Sequence, residues 1–451
     1  MQFELTKEYL SEIREAAGAK DETRLIGLFN EVHAADIAEI VNQLSTEEAK
    51  AVLNSLDPDR ASDTITHLDE EDRKDLLDSY SSVEIAENFV ENLETDDAAD
   101  LIQELSEERR EEVISEIDDI DQASQIVDLL NYEEGTAGAI MGKEMVRVYD
   151  HISVTESILE LRKQAEDIEN VYTVYVTDEK DRLKGRLALK KMLVAPATSK
   201  IEDVYVSDIH WVKASDSTEE VASIMEKYDL VALPVVDNLN RLIGRITIDD
   251  VVDVIKEEAD RDYQMASGIS EDVESTDSVW VLTRARLPWL VLGLIGGIFG
   301  ARVIGVYEAD IQLYPEMAFF IPLVAAMGGN VGVQSSAIVV QGLANNTMGI
   351  AGILPRLLKE FSVALLNGLA CAVLVLVYNL VFGDSLNLAY TVSMALLAVI
   401  VIAALFGTLI PLTLDRYKID PALATGPFIT TVNDILGLFI YFMIGRMMYG
   451  I

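Results

Sequence analysis

Acidic side chains in unusual settings are the residues of this sequence with the clearest chemical use. Asp434 stands in an apolar stretch long enough to cross a bilayer, close to Thr430, Thr431 and Asn433. A carboxylate is costly inside hydrocarbon, so an acid there favours a cation site on a permeation path. The alternative is a carboxyl group that stays protonated or is satisfied by a neighbouring helix. Because the apolar stretches hold no deep lysine or arginine to pair with Asp434, the cation site is the better interpretation.

A glycine-rich motif occupies residues 328–336 of another apolar stretch. Gly328, Gly329 and Gly332 permit close helix approach or local unwinding. Asn330 and Gln334 add amide groups beside these glycines. We therefore count Asn330 with Asp434 among the candidate metal ligands.

Acidic residues also stack along a predicted helix that precedes the first apolar stretch. Asp250, Asp253, Glu257, Glu258 and Asp262 recur at three- and four-residue spacing. Like charges at this spacing destabilise a helix by roughly a few tenths of a kcal/mol per pair unless something neutralises them. The valines and Ile255 between them predict a packed apolar face. The segment is either a solvated connector or a cation-dependent link to the membrane.

The excess negative charge lies entirely in the N-terminal part of the chain. The 451 residues carry 77 acidic and 35 basic side chains, a net charge of −42. Eight acids and eight bases follow residue 282, so the whole imbalance precedes it. A polyanionic domain repels nucleic acid and favours cations as ligands, although a merely soluble surface has the same composition.

Catalysis has little support in this sequence. Cys371 is the only cysteine, and the four histidines are far apart, at His33, His67, His151 and His210. Without a glycine-rich phosphate loop or a Cys–His pair, we expect no enzyme and no catalytic residues.

Five apolar stretches are long enough to span a bilayer of about 30 Å, which needs roughly 20 helical residues. The basic residues of the short loops fall on the inner side if the N-terminus is cytoplasmic, as the positive-inside rule requires. No signal-like run precedes them, so we expect a multi-pass plasma-membrane protein with its C-terminus outside. The stretches are Leu287–Tyr307, Met317–Gly342, Leu358–Phe382, Leu388–Leu412 and Leu423–Met448. The inner bases are Arg284, Arg286, Arg356, Lys359, Arg416 and Lys418, and the outer acids are Glu308, Asp310, Glu316 and Asp384, with Arg302 and Arg446 near the outer edge.

The N-terminal region predicts a solenoid-like stack of short α-helices. A leucine or isoleucine recurs about every 12 residues and is followed by a helix-start signal, such as Ser45 with Glu48, or Pro58. We expect these apolar residues in the core, at Leu44, Leu56, Leu68, Leu93, Leu105 and Ile117. The same pattern starts a helix at Thr95 and Asp96, which would place Asp96, Asp97 and Asp100 on one side as a possible cation site.

Two related α/β units follow the helical region. Residues 182–186, RLKGR, recur as RLIGR at residues 241–245, each after a strand-like run. This repeat resembles a tandem pair of CBS domains. CBS pairs often bind adenine nucleotides through a serine or threonine shortly before an aspartate. Thr247 and Asp250 fit in the second copy, but Ala188 and Lys191 stand in the first, so ATP binding remains open.

The predicted fold class is a multidomain membrane protein. It consists of an acidic α-helical, solenoid-like N-domain (1–135), CBS 1 (136–198), CBS 2 (199–256), an acidic connector or plug-helix region (257–283) and an all-α transmembrane domain of five helices (284–451).

This domain order resembles the MgtE family of Mg²⁺ channels along the whole chain. The most specific matches are the motif at 328–334, Asp420–Leu423, and Asn433 with Asp434. The resemblance implies a homodimer with the pore between subunits, in which Asp434 holds hydrated Mg²⁺ and Asp420 is a cytoplasm-side ligand. It also implies regulatory sensor acids, at Asp63, Asp96, Asp100, Glu219, Asp229, Asp250, Asp253, Glu258 and Asp262.

The hypothesis is therefore a Mg²⁺-selective channel or transporter that mediates magnesium uptake. Cytoplasmic Mg²⁺, bound to acids of the N-domain, CBS pair and connector, would close it. Two alternatives stay open: a broader carrier of Co²⁺, Mn²⁺ or Ni²⁺, and a CBS-regulated membrane sensor without flux.

Overall fold

The computed structural model describes residues 5–166, 168, 170–270, 273, 277–344, 352–383 and 385–450, without the side chains of Glu70, Glu71 and Ala424. Asp384, assigned above to an outer loop, lies outside the described residues. The chain divides into two compact units, Met1–Ile255 and Lys256–Ile451.

The first unit begins with short α-helices, as the leucine repeat predicts. Ser45 and Glu48 form a capping box at the start of α4, and Pro58 occupies the first turn of α5. Four of the six repeat positions are buried, while Leu44 and Leu56 are partly buried. The residue that precedes α8 is Glu94 rather than Thr95. The helices are α1 (Lys7–Ala19), α2 (Glu22–Phe29), α3 (Ala34–Val41), α4 (Thr46–Leu53), α5 (Pro58–Thr66), α6 (Glu70–Asp78), α7 (Ser82–Asn88), α8 (Thr95–Gln103), α9 (Glu107–Glu116) and α10 (Ile120–Leu129), with a 3₁₀ turn at Val90–Asn92.

The two α/β repeats follow in the same unit and share one topology. Each has three strands, the first parallel and the third antiparallel to the second. The first strand of each repeat was not expected from the sequence. The elements are β1 (Val146–Tyr149), α11 (Val154–Gln164), β2 (Val174–Thr177), β3 (Leu183–Leu187) and α12 (Leu189–Val194), then a 3₁₀ turn (Ile201–Asp203), β4 (Val212–Lys213), α13 (Thr218–Lys227), β5 (Ala232–Val236), β6 (Leu242–Thr247) and α14 (Ile248–Ala266).

Equivalent turns confirm the internal repeat. Asp178 accepts backbone hydrogen bonds from residues 180 and 182, and Asp237 accepts them from residues 239 and 241. The two turns also pair with each other through a bridge between Arg182 and Arg241. The fold of this region is a tandem CBS pair.

Helix α14 is one continuous helix of 19 residues that begins in the second CBS repeat and passes from one unit into the other. It carries Asp250, Asp253, Glu258 and Asp262. The expectation of a packed apolar face is only half right: Val251 is buried and Val254 is partly buried, whereas Val252 and Ile255 are exposed.

The second unit contains five helices long and apolar enough to cross a membrane, and all five predicted stretches overlap them. Helix α19 is the most buried, with α17, α18 and α20 packed against it, and α15 packs on α20. Val392, Val399 and Tyr441 belong to the core of this unit. The helices are α15 (Val279–Val306), α16 (Glu308–Leu313), α17 (Ile321–Ala344, after a 3₁₀ turn at Pro315–Phe320), α18 (Ile353–Phe382), α19 (Leu386–Arg416) and α20 (Gly426–Tyr449, after a 3₁₀ turn at Pro421–Ala424).

Candidate cation sites

The first unit brings three carboxylates together at the start of α8. Glu94 precedes this helix, Asp96 lies in its first turn, and Glu144 lies shortly before β1. One carboxylate oxygen from each lies within 4.8 Å of the others. Asp96 is buried, and the other two are partly buried. Oxygen ligands at this spacing suit a hard divalent cation such as Mg²⁺ or Ca²⁺.

Local hydrogen bonds hold this group of three in place. The backbone N–H and hydroxyl of Thr95 donate to the Glu144 carboxylate at 2.9 and 3.0 Å. The Lys143 N–H donates to the Thr95 hydroxyl at 2.9 Å. A Cβ at Gly142 would lie 2.7 Å from Asp96 Oδ2, so a larger residue there would force the carboxylate to shift. The loop before β1 is therefore shaped around the acids.

Asp250, at the beginning of α14, lies outside the group of three but close enough for its charge to act on Asp96. Its Oδ2 accepts hydrogen bonds from the backbone N–H and hydroxyl of Thr247 at 3.0 and 2.7 Å. Burial, and then the charges of Asp250 and Asp97, raise the pKa of Asp96 well above its usual range. Burial likewise raises the pKa of Asp250. These carboxylates repel one another as ions, so a proton or a metal ion would stabilise the group.

Asp97, next along α8, belongs to the same electrostatic neighbourhood. Asp97 is exposed to solvent, which weakens the effect of nearby charges, yet the protein atoms around it raise its pKa to about 7, and the charges of Asp250 and Asp100 contribute further.

Arg245 of β6 is a buried cation beside these acids. Its Nη2 donates to both oxygens of Glu94 at 2.9 and 2.8 Å, and its Nε donates to the Glu144 carbonyl. Burial raises the pKa of Glu94, and the charge of Arg245 opposes that rise. Our sequence reasoning missed Glu94, Glu144 and Arg245 as site residues. Nothing local marks them, because they meet only when α8, β1 and β6 pack together.

The other predicted sensor acids of this unit lie outside the group of three. Asp100 is exposed one turn after Asp96, and Asp253 is exposed one turn after Asp250. The remaining acids are also at the surface: Asp63 on α5, Glu219 in the first turn of α13, and Asp229 just after α13 with a positive φ of 50°.

Two further predicted ligands are neighbours in the second unit. Burial raises the pKa of Asp262, near the end of α14, and the negative charge of Asp420 raises it further. Asp420 caps the 3₁₀ turn at Pro421–Ala424, accepting a hydrogen bond from the Ala422 N–H at 2.8 Å. Glu258, one turn before Asp262, is partly buried. The end of α14 and the loop before α20 therefore form one acidic patch.

Asp434 lies where α20 packs against the glycine motif of α17. A Cβ at Gly329 would stand 3.5 Å from Asp434 Oδ1, and one at Gly332 would stand 1.8 Å from the Asn433 amide nitrogen. Because α17 is continuous, the glycines serve close approach and not local unwinding. Asp434 is partly buried, and Asn330 is exposed on α17.

Asn433 is a second polar residue at this contact, and we had not counted it as a ligand. It is 2% exposed, and neither its amide nitrogen nor its oxygen has a hydrogen-bond partner among the described residues. A buried amide without partners is costly, so its retention beside Asp434 favours a role in the site.

An acidic helical domain, a CBS pair and five membrane-length helices with a carboxylate at the α17–α20 contact define a multi-pass membrane transporter for cations. Family models for a divalent cation transporter (MgtE), the MgtE intracellular N domain and the CBS domain match residues 321–444, 32–135 and 201–257. The chain belongs to the MgtE family of divalent cation transporters.

Relatives and solved structures agree with this assignment. The chain is 34% identical over 314 residues to a magnesium transporter MgtE of Bacillus subtilis, covering 70% of each chain. It is 35% identical over 320 residues to the same transporter of Enterococcus faecalis, covering 71% of this chain and 70% of that one. The cytosolic domain of the Mg²⁺ channel MgtE, solved in complex with ATP, is 32% identical with a TM-score of 0.51, and the match covers 54% of this chain and 99% of that structure.

Proposed function

We propose that this chain is a Mg²⁺-selective channel or transporter that mediates magnesium uptake across the plasma membrane. The observation that carries the proposal is the Asp434 carboxylate inside apolar α20, against the glycine surface of α17. The relatives of the family that are named magnesium transporters support the choice of ion.

Recognition of a hydrated ion follows from the groups available at this contact. Mg²⁺ dehydrates reluctantly, so the Asp434 carboxylate would bind its water shell, with the amides of Asn433 and Asn330 as further candidate ligands. A homodimer would bring two copies of Asp434 to a symmetry axis, matching the charge of a divalent cation. Ca²⁺, which sheds water more easily, would fit this arrangement less well.

Regulation by cytoplasmic Mg²⁺ rests on the acids of both units. The carboxylates of the Glu94–Asp96–Glu144 group and of Asp250 repel one another, and a bound divalent cation would reduce this repulsion. Asp262 and Asp420 form a similar acidic patch. Asp250 and Asp262 lie on the same continuous helix, α14, about 18 Å apart along its axis, which makes α14 the element that would link the two sites. Several weak Mg²⁺ sites must act together, because each site shifts the equilibrium between the open and closed states only by the difference in its Mg²⁺ affinity between the two states.

The orientation of the chain in the membrane is inferred from the basic residues beside its membrane helices. The bases beside the membrane helices support a cytoplasmic N-terminus and an outer C-terminus, which puts both acidic sites in the cytoplasm.

Growth rescue of a bacterium deficient in Mg²⁺ uptake tests the proposal. The wild type should restore growth in low Mg²⁺, Asp434→Ala should fail, and Asp434→Asn should give at most weak, poorly selective uptake. Asp415→Ala, which removes an exposed acid at the end of α19, is the matched control. Rescue by Asp434→Ala would refute the pore assignment, and wild-type protein without flux in vesicles would favour a sensor.

An adenine nucleotide is the second regulatory ligand that we propose, because the similar cytosolic domain of the Mg²⁺ channel MgtE was solved in complex with ATP and the CBS pair of this chain has a small pocket between its repeats. The pocket is lined by Tyr172, Tyr175 and Arg245, among others, and its volume of about 10 Å³ has room for one water molecule, so a nucleotide would have to widen it. The Tyr175 hydroxyl is buried without a hydrogen-bond partner among the described residues, so it is available to a ligand. Calorimetric titration with ATP should show binding that Tyr175→Phe weakens and that Tyr149→Phe, at an exposed tyrosine, leaves unchanged.

A further inference from the structure

A second acidic side chain contacts the glycine-rich helix α17. Glu360 is the eighth residue of α18, and its Oε1 accepts a hydrogen bond from the Ser335 hydroxyl at 2.6 Å. This distance is typical of a hydroxyl bonded to a carboxylate. Ser335 is 4% exposed. An unpaired hydroxyl at that position would be costly, so the two groups satisfy each other.

Ser335 lies at a close contact between α17 and α19. A Cβ at Gly407 of α19 would stand 3.0 Å from the Ser335 Cβ and 2.5 Å from the Gly332 carbonyl oxygen. Ser335 follows Gly332 by one turn, and Gly332 abuts the Asn433 amide of α20. A displacement of α17 at Ser335 would therefore move the surface that Asp434 and Asn433 face.

The glycine surface cannot by itself define the rotation of α17. Glycines allow close approach but present no side chain that interlocks with a neighbour. A hydrogen bond is directional, and it weakens steeply when its geometry is distorted. The Ser335–Glu360 bond supplies that direction, about 9 Å along α17 from Gly329, six residues away.

We propose that Glu360 is a positioning residue for the ion pathway: by accepting the Ser335 hydrogen bond it fixes the rotation of α17, and with it the spacing between the glycine surface and Asp434. The inference deepens the proposed function and rests on it, because the spacing between α17 and Asp434 would determine the ion selectivity.

Ion flux into vesicles that contain the full chain tests this role. The measured quantities are the Mg²⁺ flux per folded protein and the ratio of Mg²⁺ to Ca²⁺ flux. Glu360→Ala and Ser335→Ala should each lower the ratio about tenfold, as expected for a lost hydrogen bond to a charged group. The double variant should be no worse than either single variant. Glu360→Gln keeps an acceptor oxygen and should retain most of the selectivity.

Ser362→Ala is the matched control, because the Ser362 hydroxyl bonds only to the Leu358 carbonyl of its own helix among the described contacts. An unchanged ratio in Glu360→Ala, in a wild type that carries Mg²⁺, overturns this inference alone. The inference is also overturned if Glu360→Gln is as damaging as Glu360→Ala while Ser335→Ala is normal, since charge and not the contact would then matter. A wild type that carries no ion overturns the proposed function instead.

Discussion

The guanidinium of Arg245 and the carboxylate of Glu94 form a doubly hydrogen-bonded ion pair, with Nη2 at 2.9 Å from Oε1 and 2.8 Å from Oε2. The pair joins β6 of the second CBS repeat to the start of α8, across 151 positions of sequence. The Arg245 side chain is 5% exposed, so water screens it little. The protein thus supplies one permanent cation to its own acidic group.

Removal of this cation should destabilise the first unit. Arg245→Met leaves Glu94 partly buried without a counter-charge, beside Asp96 and Glu144, and should cost about 3 kcal/mol. Thermal unfolding of the full chain in detergent measures the loss, and millimolar Mg²⁺ should recover part of it. Arg241→Met, which removes an exposed arginine paired with Asp237, should cost less than about 1 kcal/mol. Equal melting temperatures for the two variants would argue against a buried pair.

The crowded carboxylates at the start of α8 predict that the stability of the protein falls as the pH rises when Mg²⁺ is chelated. Folding raises the pKa of Asp97 from 3.8 to about 7, and that of Asp96 also rises. Between these two values the folded protein binds more protons than the unfolded chain does, so stability falls as the pH rises and the penalty is complete above about pH 7. Melting temperatures should therefore decline from pH 5 to pH 7.5.

Saturating Mg²⁺ should flatten this decline, because the cation replaces the protons. Asp97→Asn should remove part of the decline without Mg²⁺, because the raised pKa of Asp96 remains, whereas Asp208→Asn, at an exposed acid of the same unit, should change nothing. A melting temperature that rises with pH in the metal-free wild type would contradict the crowded-carboxylate interpretation.

Inhibition of the transporter by internal Mg²⁺ should weaken when the start of α14 is neutralised. Asp250 borders the acidic group, and Asp253 lies one turn further along the same helix. The double change to asparagine removes two negative charges from the proposed regulatory region, so half-inhibition should need about tenfold more Mg²⁺. Patch recordings with stepped internal Mg²⁺ give this value. Unchanged inhibition, equal to that of Asp208→Asn, would count against gating through α14.

Much of this fold was predictable because it depends on local patterns. Capping signals mark the starts of α4 and α5, and the repeated RLxGR segments mark two equivalent hairpins. Hydrophobic length alone indicated the five membrane helices. The glycine motif and Asn433–Asp434 were each visible separately, and the structure adds that they face each other.

The acidic group was only half predictable, for a physical reason. Asp96 and Asp250 were named as sensor acids, but Glu94, Glu144 and Arg245 look like ordinary polar residues in their own segments. Their pairing depends on tertiary packing of α8, β1 and β6, which no local periodicity encodes. Helix boundaries were likewise not predictable to the residue. Helix α18 starts five residues before the predicted Leu358, so Glu360 lies well inside the helix.

An ion pair between α16 and α20 should stabilise the second unit. Arg446 Nε donates to Asp310 Oδ2 at 2.6 Å, and Asp310 is only 5% exposed. Asp310→Asn should lower the stability in detergent by about 2 kcal/mol, since the Arg446 charge loses its partner. Adding Arg446→Gln should restore part of the loss. Glu308→Gln, two residues earlier and exposed, should be nearly neutral, and an equal loss there would point to helix α16 itself and not to the ion pair.

One added methyl group at the contact between α17 and α20 should slow Mg²⁺ uptake more than one on an exposed face of the membrane helices. At Gly332 a Cβ would overlap the Asn433 amide at 1.8 Å, so Gly332→Ala must push α20 or Asn433 aside. We expect at least about tenfold slower Mg²⁺ uptake per folded protein, because displacements of this size at a binding site commonly cost that much. Gly293→Ala on α15 is the matched control, since nothing described lies within 4 Å of its Cβ. Vesicle flux assays compare the two; equal uptake would mean that the glycine surface does not set the geometry around Asp434.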